Sequence, residues 1–260
     1  MSRFNKSHKL EKVIILTQAR LNSTRFPKKI LKKINGESLI EIHLNRLLKS
    51  KYSEGLIVAT TFEEGIEELL EILLKKSISF FQGSTSNVLD RFYSSVKNLK
   101  PSYVVRVTSD CPLIDPILMD QIIDFTLKKQ LDYVSNILVE SYPDGQDIEV
   151  IKFSALEKCY KQAELNSDKE HVTPYIKRNS SFFEKNLFKS LNYKCDYNYN
   201  DIRMTVDEEE DYNTIKILID KIGVESDWRT YANFIMENPS LFNNQNIKRN
   251  QGYYNSLSKD

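Results

Sequence analysis

Over the first half of this chain, short β-branched runs alternate regularly with stretches whose apolar residues recur at helical spacing. Val13–Gln18 reads as a buried strand, followed by strands over 55–60, 78–81 and 103–107. Between them lie helices over 39–48 and 66–74, a third whose face is marked by Val88, Leu89, Phe92 and Val96, and a fourth over 114–127. That alternation predicts an α/β fold: three Rossmann-like layers, with a mostly parallel central sheet and helices on both faces. Ligands of such sheets bind at the carboxyl ends of the strands. The second half is less regular. Strands are expected over 132–135, 147–153 and 203–206, and helices over 155–164, 171–178 and 208–219, so 132–202 reads as a smaller irregular lobe. Residues 1–12 form a polar N-terminal arm, 13–237 the main domain, and 238–260 an Asn-rich tail read as a peripheral appendage.

Charge narrows the function. Lys and Arg number 37 against 36 Asp and Glu, a balance that speaks against nucleic acid as a partner. No apolar run approaches the length of a spanning helix, so no membrane partner is expected. Cys111, Cys159 and Cys195 form neither a disulfide framework nor a zinc pattern, and a reducing cytoplasm is the expected location. Cys111 has no nearby His in sequence and reads as structural. Asp115-Pro116 reads as a helix cap with Pro at the first helical position.

The loop after the first strand, Gln18-Ala19-Arg20-Leu21-Asn22-Ser23-Thr24-Arg25-Phe26-Pro27-Lys28-Lys29, concentrates cations and hydroxyls suited to a polyanion. It lacks the glycines of a Walker A loop or a dinucleotide fingerprint. Past the fourth strand stands Asp110, and after the expected strand 203–206 stands Asp207. Carboxylates there suit Mg²⁺, although Asp is also a common turn or cap residue.

The run Ala-Arg-x-x-Ser-Thr-Arg-x-Pro-x-Lys resembles the signature of cytidylyltransferases that activate acidic sugars, the acylneuraminate and 3-deoxy-manno-octulosonate enzymes. The spore-coat polysaccharide branch is most similar. Further motifs match it in order: Gly83-Ser84, Val88-Leu89-Asp90-Arg91, Arg106 through Asp115, Tyr142-Pro143-Asp144-Gly145, Glu170-His171-Val172-Thr173-Pro174-Tyr175 and Thr205-Val206-Asp207-Glu208. The resemblance implies a nucleotide-diphospho-sugar transferase fold and transfer of CMP from CTP to a sugar acceptor, releasing pyrophosphate. It implies catalytic roles for Arg20, Lys29 and Asp110, and nucleotide contacts from Arg20, Asn22, Ser23, Arg25, Lys29, Gly83 and Ser84. Asp110 and Asp207 are the implied Mg²⁺ ligands. Asp144, Glu149, His171 and Arg203 are assigned to the acceptor, and a homodimer is expected through 132–191.

The chain departs from the pattern in two places. The usual Pro-Gly-Lys reads Pro27-Lys28-Lys29, so lysine stands where φ > 0 is often tolerated. The usual Trp and Pro around the second Asp are Met204 and Glu209. Two enzymatic alternatives remain at this stage: a CDP-forming enzyme acting on a phosphorylated sugar or polyol, and a GT-A glycosyltransferase. The latter favours Asp-x-Asp, whereas Thr108-Ser109-Asp110-Cys111 offers one carboxylate.

Overall fold

The computed structural model describes residues 11–260 other than 24, 245 and 259. The expected arm, apart from residues 11 and 12, and Thr24 of the basic loop lie outside the described residues. In chain order the elements are β1 (Val13–Gln18), β2 (Lys33–Ile34), β3 (Glu37–Ser38), α1 (Leu39–Leu47), β4 (Leu56–Thr61), α2 (Glu67–Lys75), β5 (Ser79–Gly83), α3 (Val88–Val96), β6 (Tyr103–Thr108) and α4 (Pro116–Lys129). The second half adds β7 (Tyr133–Ser135), β8 (Glu149–Lys152), α5 (Phe153–Gln162), α6 (Asn166–His171), α7 (Pro174–Arg178), β9 (Ser190–Asn192), α8 (Glu209–Ile222), α9 (Trp228–Glu237) and α10 (Gln251–Leu257).

Seven strands form one sheet in the order β5-β4-β1-β6-β8-β7-β9. All neighbouring pairs are parallel except those made by β8, which runs antiparallel to β6 and β7. Alternation along β1 builds the layers. Val13 and Ile15 pack with α1, α2, α4, α8 and α9 on one face, while Ile14 and Leu16 pack with α3, α5 and α7 on the other. On α3, Val88, Leu89, Phe92 and Val96 are all buried, each worth roughly 1.5–3 kcal/mol relative to exposure.

Helix ends follow local chemistry. The Asp115 carboxylate accepts from Ile117 N and Leu118 N, as its Pro116 neighbour predicted, and also from Trp228 N. Asn87 Oδ1 accepts from Asp90 N at the start of α3. Between β2 and β3, Asn35 and Gly36 both take positive φ (51° and 92°), the turn that matches strand twist in a two-residue hairpin.

Two expectations are corrected. Residues 203–206 are extended but join no sheet strand; Arg203 makes only an isolated bridge to Asp144. The tail is not peripheral, because Asn244 is buried and donates to Arg203 O and Asp211 Oδ1.

At the loop after β1, Lys28 adopts φ 53° and ψ 27°, the left-handed conformation that costs a side chain roughly 1–2 kcal/mol. Lysine therefore occupies the conformation that glycine adopts without strain. Lys28→Gly is expected to stabilise the protein by about 0.5–1 kcal/mol, since glycine's greater unfolded-state freedom offsets part of the relief. A thermal melt checks this; an unchanged or lower midpoint contradicts it.

Candidate active site

Strands β1 and β6 end side by side, with Gln18 in register with Thr108 and Ser109 N donating to Gln18 O at 3.2 Å. The basic loop and the Asp110 turn therefore leave the same edge of the sheet. The segment carrying Asp207 arrives by backbone pairing rather than as a strand. Asp144 N donates to Ile202 O, Met204 N to Asp144 O, and Val206 N to Asp110 O at 2.8 Å. Those bonds bring together two aspartates that are far apart in sequence.

Lys29 joins them. Its side chain is largely buried, and its ammonium donates to Asp110 Oδ2 at 3.1 Å, Asp207 Oδ1 at 2.9 Å and Val206 O at 2.7 Å. Burial alone would lower the Lys29 pKa, but Asp110 and Asp207 outweigh it and raise the pKa above the ordinary value. Burial alone would raise Asp110; the Lys29 ammonium and the Thr108 hydroxyl hold it well below the usual carboxylate range. Arg25 adds an ion pair to Asp207 at 2.9 Å. Both carboxylates thus converge on one cationic point.

Asp207 is braced from behind. Arg203 bonds Asp207 Oδ2 at 3.2 Å, Asp144 at 2.7 Å, and Asp211 through two nitrogens at 2.8 and 2.9 Å. Asp211, in the first turn of α8, also accepts from Asp207 N and Glu208 N. The cap of α8 is consequently Glu208 with Asp211, and Asp207 is left facing Lys29. Burial and the neighbouring Asp147 push the Asp144 pKa up to about 7, against the pull of Arg249 and Arg203.

The remaining expected nucleotide residues are more dispersed. Arg20 is exposed and lines the cleft. Asn22 N donates to Glu63, and Ser23 Oγ accepts from Phe26 N within its own loop. Gly83 and Ser84 lie at the end of β5, where Ser84 Oγ accepts from Asn87 N. None of these five shares a hydrogen bond with the carboxylate cluster among the described residues.

The cluster opens into a cleft of about 840 Å³, walled by Arg106, Lys177, His171 and residues of the tail, a size suited to a small ligand. Glu149 is not part of that wall, contrary to its assignment to the acceptor. It is fully buried and accepts from Tyr133 OH (2.5 Å) and Thr173 Oγ1 (2.7 Å), with ion pairs to Lys177 (3.2 Å) and Arg106. Burial opposes its ionisation, but Lys177, Arg106 and these hydroxyls hold its pKa at about 2. Glu149 therefore aims the two cations that do face the cleft.

His171 lies at the end of α6, not at a helix start; α7 begins after it at Pro174. Its Nε2 is 3.0 Å from Ser256 Oγ of α10, and burial followed by the Arg106 charge lowers its pKa. Sequence reasoning left Arg106, Lys177, Asp211 and Arg249 unassigned. An arginine inside the apolar run Val104-Val105-Arg106-Val107 was the available signal for the first.

Beneath the Asp110 turn, the wholly buried His43 bridges Thr17 Oγ1 (2.9 Å) and Cys111 O (2.8 Å). Burial lowers its pKa to about 4, and Arg46 adds to that against the pull of the Cys111 carbonyl and Asp110. The unfolded chain, with His near 6.5, binds the proton more readily. Stability from neutral His43 is thus complete above about pH 6.5 and lost as pH falls toward about 4, roughly 3 kcal/mol in all. Urea melts across that window should show a shallower pH slope for His43→Gln than for the parent; equal slopes contradict this. Burial raises the Cys111 pKa well above the thiol range, consistent with a structural role.

The cytidylyltransferase family model matches residues 13–247. An uncharacterized protein of Methanocaldococcus jannaschii is 36% identical over 244 residues, covering 92% of this chain and 96% of that protein. The spore coat polysaccharide biosynthesis protein SpsF of Bacillus subtilis is 30% identical, covering 83% and 89%. Among solved structures, a cytidylyltransferase from Leptospira borgpetersenii superposes with a TM-score of 0.84 at 33% identity, over 92% of this chain and all of that one. A CMP:2-keto-3-deoxy-manno-octonic acid synthetase complexed with CTP shares the fold, with a TM-score of 0.61 at 14% identity over 81% of this chain and 99% of the other. An α/β sheet carrying paired aspartates and a basic loop at its strand ends, matched almost throughout by that family model, places this chain in the cytidylyltransferase family.

Proposed function

We propose that this protein transfers CMP from CTP to an acidic sugar, releasing pyrophosphate and yielding a CMP-sugar for surface polysaccharide assembly. The observation that carries this reading is Lys29 held between Asp110 and Asp207 where β1 and β6 end. In the reaction, a sugar hydroxyl oxygen bonds to the α-phosphorus as the bond from that phosphorus to pyrophosphate breaks in line, and the hydroxyl proton is released to solvent. Such chemistry relies on positioning and charge neutralisation. Arg20, Arg25 and Lys29 surround the triphosphate and balance the charge that gathers on the leaving pyrophosphate.

Asp110 and Asp207 fit Mg²⁺: two carboxylates already meet one cation, and oxygen ligands suit a hard ion. No cluster of three or more acidic, His or Cys side chains suited to a metal occurs among the described residues, so water and phosphate oxygens would complete the shell. When bound, Mg²⁺ neutralises phosphate charge and orients the α-phosphate. Arg203 and Asp211 keep Asp207 turned toward that position.

Arg106 and Lys177, aimed into the cleft by Glu149, support an anionic acceptor. They suit a sugar phosphate as well as a carboxylate, which keeps the CDP-forming reaction as a second reading. We extend the proposal to a homodimer through 132–191, where Val139, Phe183, Leu187 and Leu191 are exposed apolar side chains; sedimentation velocity tests it. No helix among the described residues is long and apolar enough to cross a membrane.

The test of function is pyrophosphate release from CTP, with Mg²⁺ or with EDTA, against 3-deoxy-manno-octulosonate, N-acetylneuraminate and phosphorylated sugars. Mg²⁺-dependent release with a sugar acid and a CMP-linked product by mass supports the reading. A CDP-linked product selects the alternative, and no release with any acceptor overturns both.

A further inference from the structure

The family match ends at residue 247, yet the cleft does not. Lys248, Tyr253 and Leu257 line it, together with Arg106 and Lys177. This segment is fastened at both ends. At its start, Arg249 donates to Asp147 Oδ1 (2.6 Å), Asn200 Oδ1 (2.9 Å) and Tyr142 O (3.1 Å), with the Asp144 and Glu140 carboxylates at 3.9 and 3.8 Å. At its end, Ser167 N donates to Asp260 Oδ1 at 2.9 Å. Between these anchors α10 lies against α6: Ser256 Oγ donates to Glu170 Oε2 (2.6 Å), and the Tyr253 ring meets the His171 ring edge-on at 5.2 Å.

The fastening has physical consequences. Arg249 places one cation among three carboxylates that would otherwise repel one another, so the segment and the Tyr142-Pro143-Asp144-Gly145 turn hold each other in place. The same turn pairs with the backbone leading to Asp207. Arg249 is therefore a positioning residue. Tyr253 is half-buried and presents apolar ring area beside His171, while Lys248 is exposed at the mouth. A ring face suits the C–H surface of a sugar, and an ammonium suits its acid group.

We propose that residues 248–258 form the acceptor-selecting wall of the site: Tyr253 packs on the sugar, and Lys248 attracts its anionic group. Arg249 fixes the wall in place. The proposal rests on the acidic-sugar reading above and adds to it the element that distinguishes one acceptor from another. The wall lies beyond residue 247, the last residue matched by the family model. The basic loop and Gly83-Ser84 lie outside this segment, so CTP affinity is not expected to depend on it.

The test uses the full chain, its Tyr253→Ala, Tyr253→Phe and Lys248→Ala variants, CTP with Mg²⁺, and 3-deoxy-manno-octulosonate and N-acetylneuraminate as probes. We expect acceptor KM to rise about tenfold or more in Tyr253→Ala and several-fold in Lys248→Ala, with CTP KM within about twofold of the parent. Tyr253→Phe should restore most of the Tyr253→Ala loss, and the ratio of kcat/KM between the two probes should shift in Tyr253→Ala. A merely structural role would change both substrates' constants together and leave that ratio unchanged; either result overturns the wall. A fall in acceptor KM also overturns it, because the segment would then obstruct the site. If the parent binds CTP yet releases no pyrophosphate with either probe, the acidic-sugar reading fails and takes this proposal with it; turnover by the parent with unaltered variants removes the wall alone.

Discussion

Lys29→Met is expected to lower the rate of pyrophosphate release by about 10²–10³, the loss seen when one preorganised charge donor is removed from a transition state. The variant should remain folded but weakened. Its two carboxylates lose a shared ammonium, while Arg25 and Arg203 still hold Asp207. Breaking a fully buried pair costs about 3–5 kcal/mol; partial exposure of Asp110 and Asp207 puts the expected loss here nearer about 2–3 kcal/mol. The variant carries a further signature. In the parent, Lys29 occupies the point between the carboxylates, so Mg²⁺ without nucleotide should raise the melting temperature little. In Lys29→Met the point is vacated, and millimolar Mg²⁺ alone should recover part of the lost stability by binding the folded state. A variant with parental turnover, or one indifferent to Mg²⁺, contradicts this assignment of Lys29.

The second large effect is expected at Gly145. Its φ is +105°, and a Cβ built there would lie 2.7 Å from Met204 C and 2.8 Å from Met204 O and Thr205 N. These are backbone atoms of the segment that ends in Asp207, and they cannot move without disturbing its bonds to Asp144 and Asp110. Gly145→Ala should therefore cost about 3 kcal/mol or more, combining backbone strain with overpacking. Displacing Asp207 by about 1 Å should cost roughly 10²-fold in turnover. Gly36→Ala is the control, with φ +92° and nothing within 4 Å of the added atom. It should be destabilised by strain while keeping its turnover. Equal activity loss in both variants contradicts the role given to the Gly145 turn.

The first half of the fold was legible because its elements obey single periods: β1 spans Val13–Gln18, the run read as a buried strand, and α3 spans Val88–Val96 as its apolar face predicts. The Asn35-Gly36 hairpin carried a readable turn signal that went unused. Residues 203–206 misled because an alternating extended segment looks the same whether it pairs in a sheet or with isolated loop carbonyls. The tail looked peripheral because Asn and Lys are usually solvated. Asn244 and Arg249 are instead drawn inward by carboxylates, Asp211 and Asp147, that lie far away in sequence.

Local motifs singled out Lys29, Asp110 and Asp207, but no spacing rule could show that a single ammonium joins them. Glu149 was legible as a charge in a strand, and its direction was not. Since β8 buries both faces, its carboxylate turns toward Arg106 and Lys177 instead of solvent. The unassigned cations of the cleft are the counterpart of that miss, because a buried acid in a satisfied network requires partners, and those partners form the wall.

The most direct test of the central claim is the calorimetric affinity of the parent and of Lys29→Met for CTP, ATP, GTP and UTP, each with Mg²⁺ and with EDTA. The account predicts Mg²⁺-dependent binding of CTP by the parent, much weaker binding of the other three nucleotides, and a loss of CTP affinity of about tenfold or more in the variant. CTP binding that ignores both Mg²⁺ and Lys29, or no binding of any triphosphate, would contradict it.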